Sequence, residues 1–440
     1  MGQRRVGISQ RRRDAPEARP AEPALLRRGT ASTAGFFTQE SFAEAGASAE
    51  VVAALAELGV TRPSHIQAAA FRALVGSQAP HVVLGDHAGS GKTLAYLAPI
   101  AQALRAEEAA GGGGMAPKAP RALVLAPTAE LCAQVLRVAR ALARGAPFRS
   151  IALTGGHPWR TQRKELEGGV DLVVATPGRL GEHLAAGTLT LGRCGTVVLD
   201  ETDVLLGDSG AFREQVEPLR NAAPPGARFI LVTATLPEAV YQALQPLFPG
   251  LVPVLGPGLH RTAPGVTQRL VDCSGGDDVN EDTGFLRKAD TLVRLLREEP
   301  AARTIVFCNK IETCRKVENL LNRAGVVAEG GVLAHHAAIS DVVRSRNLQE
   351  FLAPPASEER LVLVCTDRAS RGIDSAHVEH VVLFDFPRDP SEYVRRAGRT
   401  SRGAGNRGTV TILALGRQVP LARQVLHRSE QGLPLHKLPS

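Results

Sequence analysis

Two short stretches carry residues whose types and order can do chemistry. The first, VVLDETDVLL at residues 197–206, runs three apolar residues into Asp200, Glu201, Thr202 and Asp203 before turning apolar again. Three carboxylates at the end of a buried strand cost several kcal/mol unless a cation or strong donors balance them. The second, HVVLGDHAGSGKTLAYLAP at residues 81–99, sets GSGKT (residues 89–93) between a strand pattern and an apolar helical segment. Gly89, Ser90 and Gly91 allow successive backbone N–H groups to face phosphates at a helix N-terminus, where the helix dipole also favours negative charge.

In this arrangement, that of a P-loop, Lys92 bridges the outer phosphates and the Thr93 hydroxyl binds magnesium. One departure stands five residues before Gly91, where Asp86 occupies a position that the strict pattern gives to glycine. A carboxylate at the end of a neighbouring parallel strand holds the same metal in P-loop nucleotidases. Thr93 and Asp200 are therefore the expected Mg2+ ligands, and Glu201 is left to orient and deprotonate an attacking water. The expected reaction is hydrolysis of a nucleoside triphosphate.

Such residues need strands to carry them. Continuous apolar runs alternate with helix-period segments in two series: HVVLG, ARALVLAP, FRSIALTGG, VDLVVATPG, GTVVLDETD and ARFILVTAT, then VTQRLVDC, ARTIVFCNK, GGVLAHH, ERLVLVCTD, VEHVVLFDF and RGTVTILAL. Apolar strands separated by helices imply parallel sheets covered on both faces. The expected fold class is α/β, with two domains that each hold a mainly parallel sheet. The boundaries read as an Arg-rich, disordered extension at 1–35, a first domain at 36–254, a Gly/Pro-rich linker at 255–265, a second domain at 266–416, and a C-terminal helix and tail at 417–440.

Composition bounds the classes of function. The chain has 440 residues, 44% of them apolar and 22% charged, an ordinary soluble balance. It contains no apolar run long enough for a membrane helix and no secretory segment. The six scattered cysteines lack paired zinc-site spacing and read as buried free thiols. Residues 1–35 hold eight arginines against three carboxylates, +5 of the formal +8, which leaves only +3 for the rest. Charge alone does not mark a nucleic-acid binder. The arginine-rich head reads as an organelle transit peptide for mitochondrion or plastid, a nuclear or nucleolar address, a tail that grazes RNA, or a flexible extension with no dedicated role; nucleolus and cytoplasm are the alternative locations.

With these motifs in order, residues 36–415 resemble the DEAD-box ATP-dependent RNA helicases, whose strand-end box appears here as DETD. The resemblance implies two RecA-like domains, ATP as substrate, Mg2+ as cofactor, RNA as partner and a monomeric chain. It implies adenine contacts by Phe42, which stacks on the base, and by Gln67, whose alternative is a helix cap. RNA contacts are implied for Pro127 and Thr128 of PTAEL, for Gly155 and Gly156, and for Thr176, Pro177, Gly178 and Arg179 of TPGR. The second domain adds Arg344, Thr366 and Arg371 on RNA and Gly372 and Asp374 on the nucleotide ribose. Arg399 and Arg402 reach across the cleft to the γ-phosphate. Asp203, Thr233, Thr235 and Arg396 couple the carboxylate box to RNA.

Five further positions depart from the family pattern: Ala129 stands for arginine, Thr202 for alanine, Asp341 for glutamine, Arg395 for histidine, and Arg368 takes the second place after Thr366. The function implied is an ATP-dependent RNA helicase that opens short duplexes or remodels RNA–protein particles, with pre-ribosomal particles as partners by family analogy. The alternatives are an ATP-gated RNA clamp with little turnover and a DNA translocase of the same superfamily.

Overall fold

A computed structural model describes residues 35–440 apart from 78, 206–210, 264, 276–279, 368–376, 402–406, 432, 434 and 436–440. The expectations for the extension before Gly35 and for Arg368, Arg371, Gly372, Asp374 and Arg402 lie outside the described residues.

The first sheet has seven strands: β1 (His81–Gly85), β2 (Ala122–Leu125), β3 (Ser150–Leu153), β4 (Leu172–Ala175), β5 (Thr196–Leu199), β6 (Arg228–Thr233) and β7 (Leu251–Leu255). Their order is β3-β4-β2-β5-β6-β1-β7, with every pair parallel. The second sheet holds β8 (Val266–Asp272), β9 (Arg303–Phe307), β10 (Val332–His335), β11 (Leu361–Cys365), β12 (His380–Leu383) and β13 (Gly408–Ala414). Its order is β10-β11-β9-β12-β13-β8, again parallel throughout.

Strand alternation places successive side chains on opposite faces, and both faces are buried. On β1, Val82 and Leu84 join one core while Val83 joins the other. On β9, Ile305 and Phe307 face one core and Val306 the other. This two-sided burial explains why the strands read as unbroken apolar runs rather than alternating ones. All six cysteines are buried and free.

One strand departs from the sequence expectation. The first series was expected to end near Thr235, yet β7 adds a seventh strand along β1 and contains Pro253. A proline survives there because β7 is an edge strand, where a missing N–H on the outer side removes no ladder bond.

The consequence for function is positional. Crossovers in a parallel sheet bring the loops after the strands to one edge, where ligands of doubly wound sheets bind. The P-loop follows β1, Pro127 and Thr128 follow β2, Gly155 and Gly156 follow β3, Thr176 follows β4, Asp200 follows β5, and Thr235 follows β6. Residues 256–265 connect β7 to β8.

Candidate functional site

The P-loop turn is made by two left-handed glycines, Gly89 at φ 83° and Gly91 at φ 90°. Gly91 is the N-cap of the helix Lys92–Ala109 and offers no side-chain cap, so the first-turn N–H groups stay available to an anion. A Cβ on Gly91 would lie 2.4 Å from Gln67 Nε2, so glycine is needed for contact as well as for φ. Lys92 Nζ donates to the carbonyls of Asp86 at 2.7 Å and His87 at 2.8 Å, inside the turn that phosphates would fill. The Ser90 hydroxyl is buried without a hydrogen-bond partner among the described residues.

The carboxylate box sits at the end of β5. Asp200 is buried, with Oδ2 taking the Tyr96 hydroxyl at 2.8 Å and Oδ1 the Glu201 N–H at 2.9 Å. Burial, then the neighbouring Glu201 charge, lifts its pKa to about 6, against the opposing donation from Tyr96 and the charge of Lys92. Glu201 has φ 47°, a backbone cost that turns its side chain into the cleft. Thr202 explains its own departure: its hydroxyl donates to Leu199 O at 2.7 Å and accepts from Val232 N at 3.2 Å, tying β5 to β6. The donor set of Asp200 and Thr93 is all oxygen, and Asp200 carries an unfavourable buried charge. Both features fit a hard divalent cation such as Mg2+.

The second sheet answers with two arginines. Arg395 Nη1 lies 3.4 Å from Asp203 Oδ2, which also accepts the Thr235 hydroxyl at 3.1 Å. Arg399 Nη2 lies 3.8 Å from Glu201 Oε1. The Thr233 hydroxyl donates to Thr235 O at 2.6 Å and holds that turn.

Arg396 differs from the expectation that it couples to the box. Its guanidinium is buried within the second lobe, donating to Asp367, to Asn309 Oδ1 at 2.6 Å and to Asp385 O at 2.8 Å. The reason is helical geometry: in and just beyond the helix Pro390–Ala397, Arg395 and Arg399 are four apart and face the cleft together, with Arg399 Nε on Arg395 O at 3.2 Å, while Arg396 is rotated by about 100°.

The adenine-side expectations also differ in part. Phe42 is 4% exposed and packs edge-to-face against Phe71 at 5.9 Å. Gln67 is buried and doubly engaged: its Oε1 caps Ser64 N at 2.9 Å and its Nε2 donates to Gly91 O at 3.2 Å. In this state it is a capping-box residue that braces the P-loop.

The short motifs expected to meet RNA cluster at strand ends. Thr128 caps the helix Ala129–Leu142, and Thr176 with Pro177 opens the helix Pro177–Ala185. Gly155, Gly156 and Gly178 are exposed, and a Cβ there would meet no atom of the described residues within 4 Å. Arg179 Nη2 reaches Gly155 O at 3.3 Å, and its guanidinium lies 5.6 Å over the Trp159 ring. Trp159 stacks at 3.9 Å on buried His183. In the second lobe Thr366 follows β11, and Arg344 pairs with Asp341 at 2.7 Å.

Two residues, Tyr96 and Trp159, escaped the sequence reading. Tyr96 and Lys92 are four apart on one helix, which would have aimed both at the strand ends. Arg395, read there as a departure from histidine, shares that spacing with Arg399. Trp159, the only tryptophan in the chain, lies three residues past Gly156.

A DEAD/DEAH box helicase family model matches residues 64–243, and a helicase conserved C-terminal domain model matches residues 287–404. The chain is 47% identical over 410 residues to DEAD-box ATP-dependent RNA helicase 50 of Arabidopsis thaliana, covering 92% of this chain and 52% of that protein. It is 34% identical over 393 residues to the human probable ATP-dependent RNA helicase DDX28, covering 84% of this chain and 69% of that protein. Among solved structures, Saccharomyces cerevisiae Dbp5 bound to RNA and ADP BeF3 aligns with a TM-score of 0.72 at 22% identity, covering 89% of this chain and 93% of that one. The last likeness shows the two-domain, RecA-like fold alone. The chain spans about half the length of the Arabidopsis relative.

Proposed function

This chain belongs to the DEAD-box family of ATP-dependent RNA helicases, and on that premise we propose that it is an RNA-stimulated ATPase whose cleft closure opens short RNA duplexes or strips protein from RNA. The observation that carries the reading is the pair of charge contacts from the second lobe to the carboxylate box, Arg395 to Asp203 and Arg399 to Glu201. They make the box a joint element of both lobes, as an ATPase gated by closure requires.

In this reading Lys92 leaves the Asp86 and His87 carbonyls to hold the outer phosphates of ATP, the peptide N–H groups of residues 89–93 hold the rest, and Asp200 and Thr93 hold Mg2+. When bound, the ion neutralises phosphate charge. Glu201 orients and deprotonates the water. Arg399, with Arg402 as its proposed companion, balances charge on the γ-phosphate, a contribution of about a thousandfold or more in related sites.

RNA is held through backbone and ribose by Pro127, Thr128, Gly155, Gly156, residues 176–179, Arg344 and Thr366. Small residues and helix starts suit contacts that carry no base code. Opening about five base-pair steps costs about 7 kcal/mol at roughly 1.4 per step, within reach of several charge-assisted contacts. Displacement of a duplex of about 10 base pairs, and not one of about 30, is the expected result with ATP. Equal displacement of both, or of neither, would contradict it.

The same contacts favour one second reading, an ATP-gated RNA clamp with slow turnover, because two lobes joined by ion pairs resist reopening. Stable ATP-bound RNA complexes with negligible hydrolysis would select it. Pre-ribosomal particles are the proposed substrate on family likeness, and a mitochondrion or plastid is the proposed location on the arginine-rich head. A reporter fused to residues 1–35 tests the location, and diffuse signal would remove it.

A further inference from the structure

The nucleotide cradle contains a carboxylate that the reading above does not use. Asp86 is 2% exposed, and its Oδ1 accepts three donors: His87 N at 2.8 Å, His87 Nδ1 at 3.1 Å and Gly258 N at 2.9 Å. Gly258 lies in the connection between the two sheets. Burial disfavours the charge of Asp86, but the His87 imidazole and Lys92 outweigh it and hold the carboxyl below its ordinary pKa.

The fit between the two segments excludes side chains on the connection. A Cβ on Gly256 would lie 2.3 Å from Asp86 Cγ, and one on Gly258 would lie 2.1 Å from His87 Nδ1. Gly256 N also donates to Gly85 O at 2.7 Å. The same strap then makes two more attachments. His260 N donates to Ala234 O at 3.2 Å, between Thr233 and Thr235, and the Thr262 hydroxyl meets that of Ser429 at 2.8 Å on the helix Gln418–Glu430. Seven residues thus touch the P-loop, the end of β6 and the second lobe. On the inner side of the same turn, the carbonyls of Asp86 and His87 hold Lys92.

We propose that Asp86 is a positioning residue that ties the connecting strap to the nucleotide cradle, so that phosphate capture by Lys92 is passed to the strap and through it to the approach of the two lobes. The inference rests on the ATP-gated reading above and gives a purpose to the residue that breaks the strict P-loop pattern. An anchored strap restricts where the second lobe can travel, so closure on RNA starts from fewer arrangements.

The test uses the full chain and measures RNA affinity with and without saturating AMP-PNP, the ratio being the coupling between the two ligands. Asp86→Ala is expected to lower that ratio about tenfold, while Asp86→Asn, which keeps an acceptor oxygen for Gly258 N, stays within about threefold of wild type. Gly258→Ala attacks the same contact from the strap and is expected to match Asp86→Ala, which keeps the test intact where the P-loop variant folds poorly. Amide hydrogen exchange of residues 256–260 should rise in both. A wild-type chain without nucleotide-dependent RNA affinity would overturn the underlying reading. Wild-type coupling equalled by both Asp86→Ala and Gly258→Ala would overturn this inference alone, as would an Asp86→Asn protein as defective as Asp86→Ala.

Discussion

Asp203 and Arg395 meet at 3.4 Å across the cleft, and the same Asp203 oxygen takes the Thr235 hydroxyl at 3.1 Å. One carboxylate thus joins the nucleotide box, the end of β6 and the second lobe. A partly buried pair of this kind contributes about 1 kcal/mol. Arg395→Ala should therefore weaken RNA binding in the presence of AMP-PNP by about fivefold and leave nucleotide-free RNA binding less affected. A double-mutant cycle with Asp203→Ala checks it, and additive effects would show that the pair is not coupled.

Gly91→Ala is expected to weaken nucleotide capture. The substitution places a side chain at φ 90° and 2.4 Å from Gln67 Nε2. Strain of about 1–3 kcal/mol falls on the loop that must hold phosphates, while the fold is set elsewhere. Titration with a fluescent ATP analogue should show affinity reduced by about tenfold or more, with a far-ultraviolet spectrum like that of wild type.

Trp159→Ala should lower RNA affinity without changing ATP hydrolysis in the absence of RNA. The indole is the surface over which Arg179 lies, and a half-buried cation–π contact contributes about 1 kcal/mol, or about fivefold in affinity. As the chain's only tryptophan, Trp159 also reports the event: wild-type emission should change when RNA is added. Unchanged emission at saturating RNA would mean that Arg179 is not at the RNA surface.

His380 makes the second lobe sensitive to acid. Burial pushes its pKa down to about 4, while its Nε2 sits 2.9 Å from the Thr411 hydroxyl. The folded state thus prefers the neutral ring. Stability from this group is full above the ordinary value of 6.5 and is lost as pH falls from there toward 4. The expected loss is about 2 kcal/mol by pH 5. Denaturant titrations at pH 7 and pH 5 measure it, and His380→Gln should remove much of the difference.

The architecture was legible because both sheets are parallel and buried on two faces, which writes each strand as an apolar run between helices. The glycine turn after β1 and the carboxylates after β5 were legible for a related reason: left-handed turns favour glycine, and acidic residues at a strand end stand out against the apolar run. Side-chain aim was less so. Phe42 and Arg396 carry suitable chemistry but are turned into cores by Phe71 on one side and by Asp367 and Asn309 on the other. β7 was hidden by Pro253, which only an edge strand tolerates. The Asp86 strap was invisible because it joins positions 172 apart in the sequence.

The central claim is that RNA governs ATP hydrolysis through Glu201 and the arginines that face it. The most direct measurement is steady-state ATP hydrolysis with single-stranded RNA, with a DNA oligonucleotide and with neither, for wild type beside Glu201→Gln. The account predicts RNA-specific stimulation, and a loss of about 100-fold or more in the substituted chain. Hydrolysis indifferent to RNA, or surviving the loss of the Glu201 carboxylate, would contradict it.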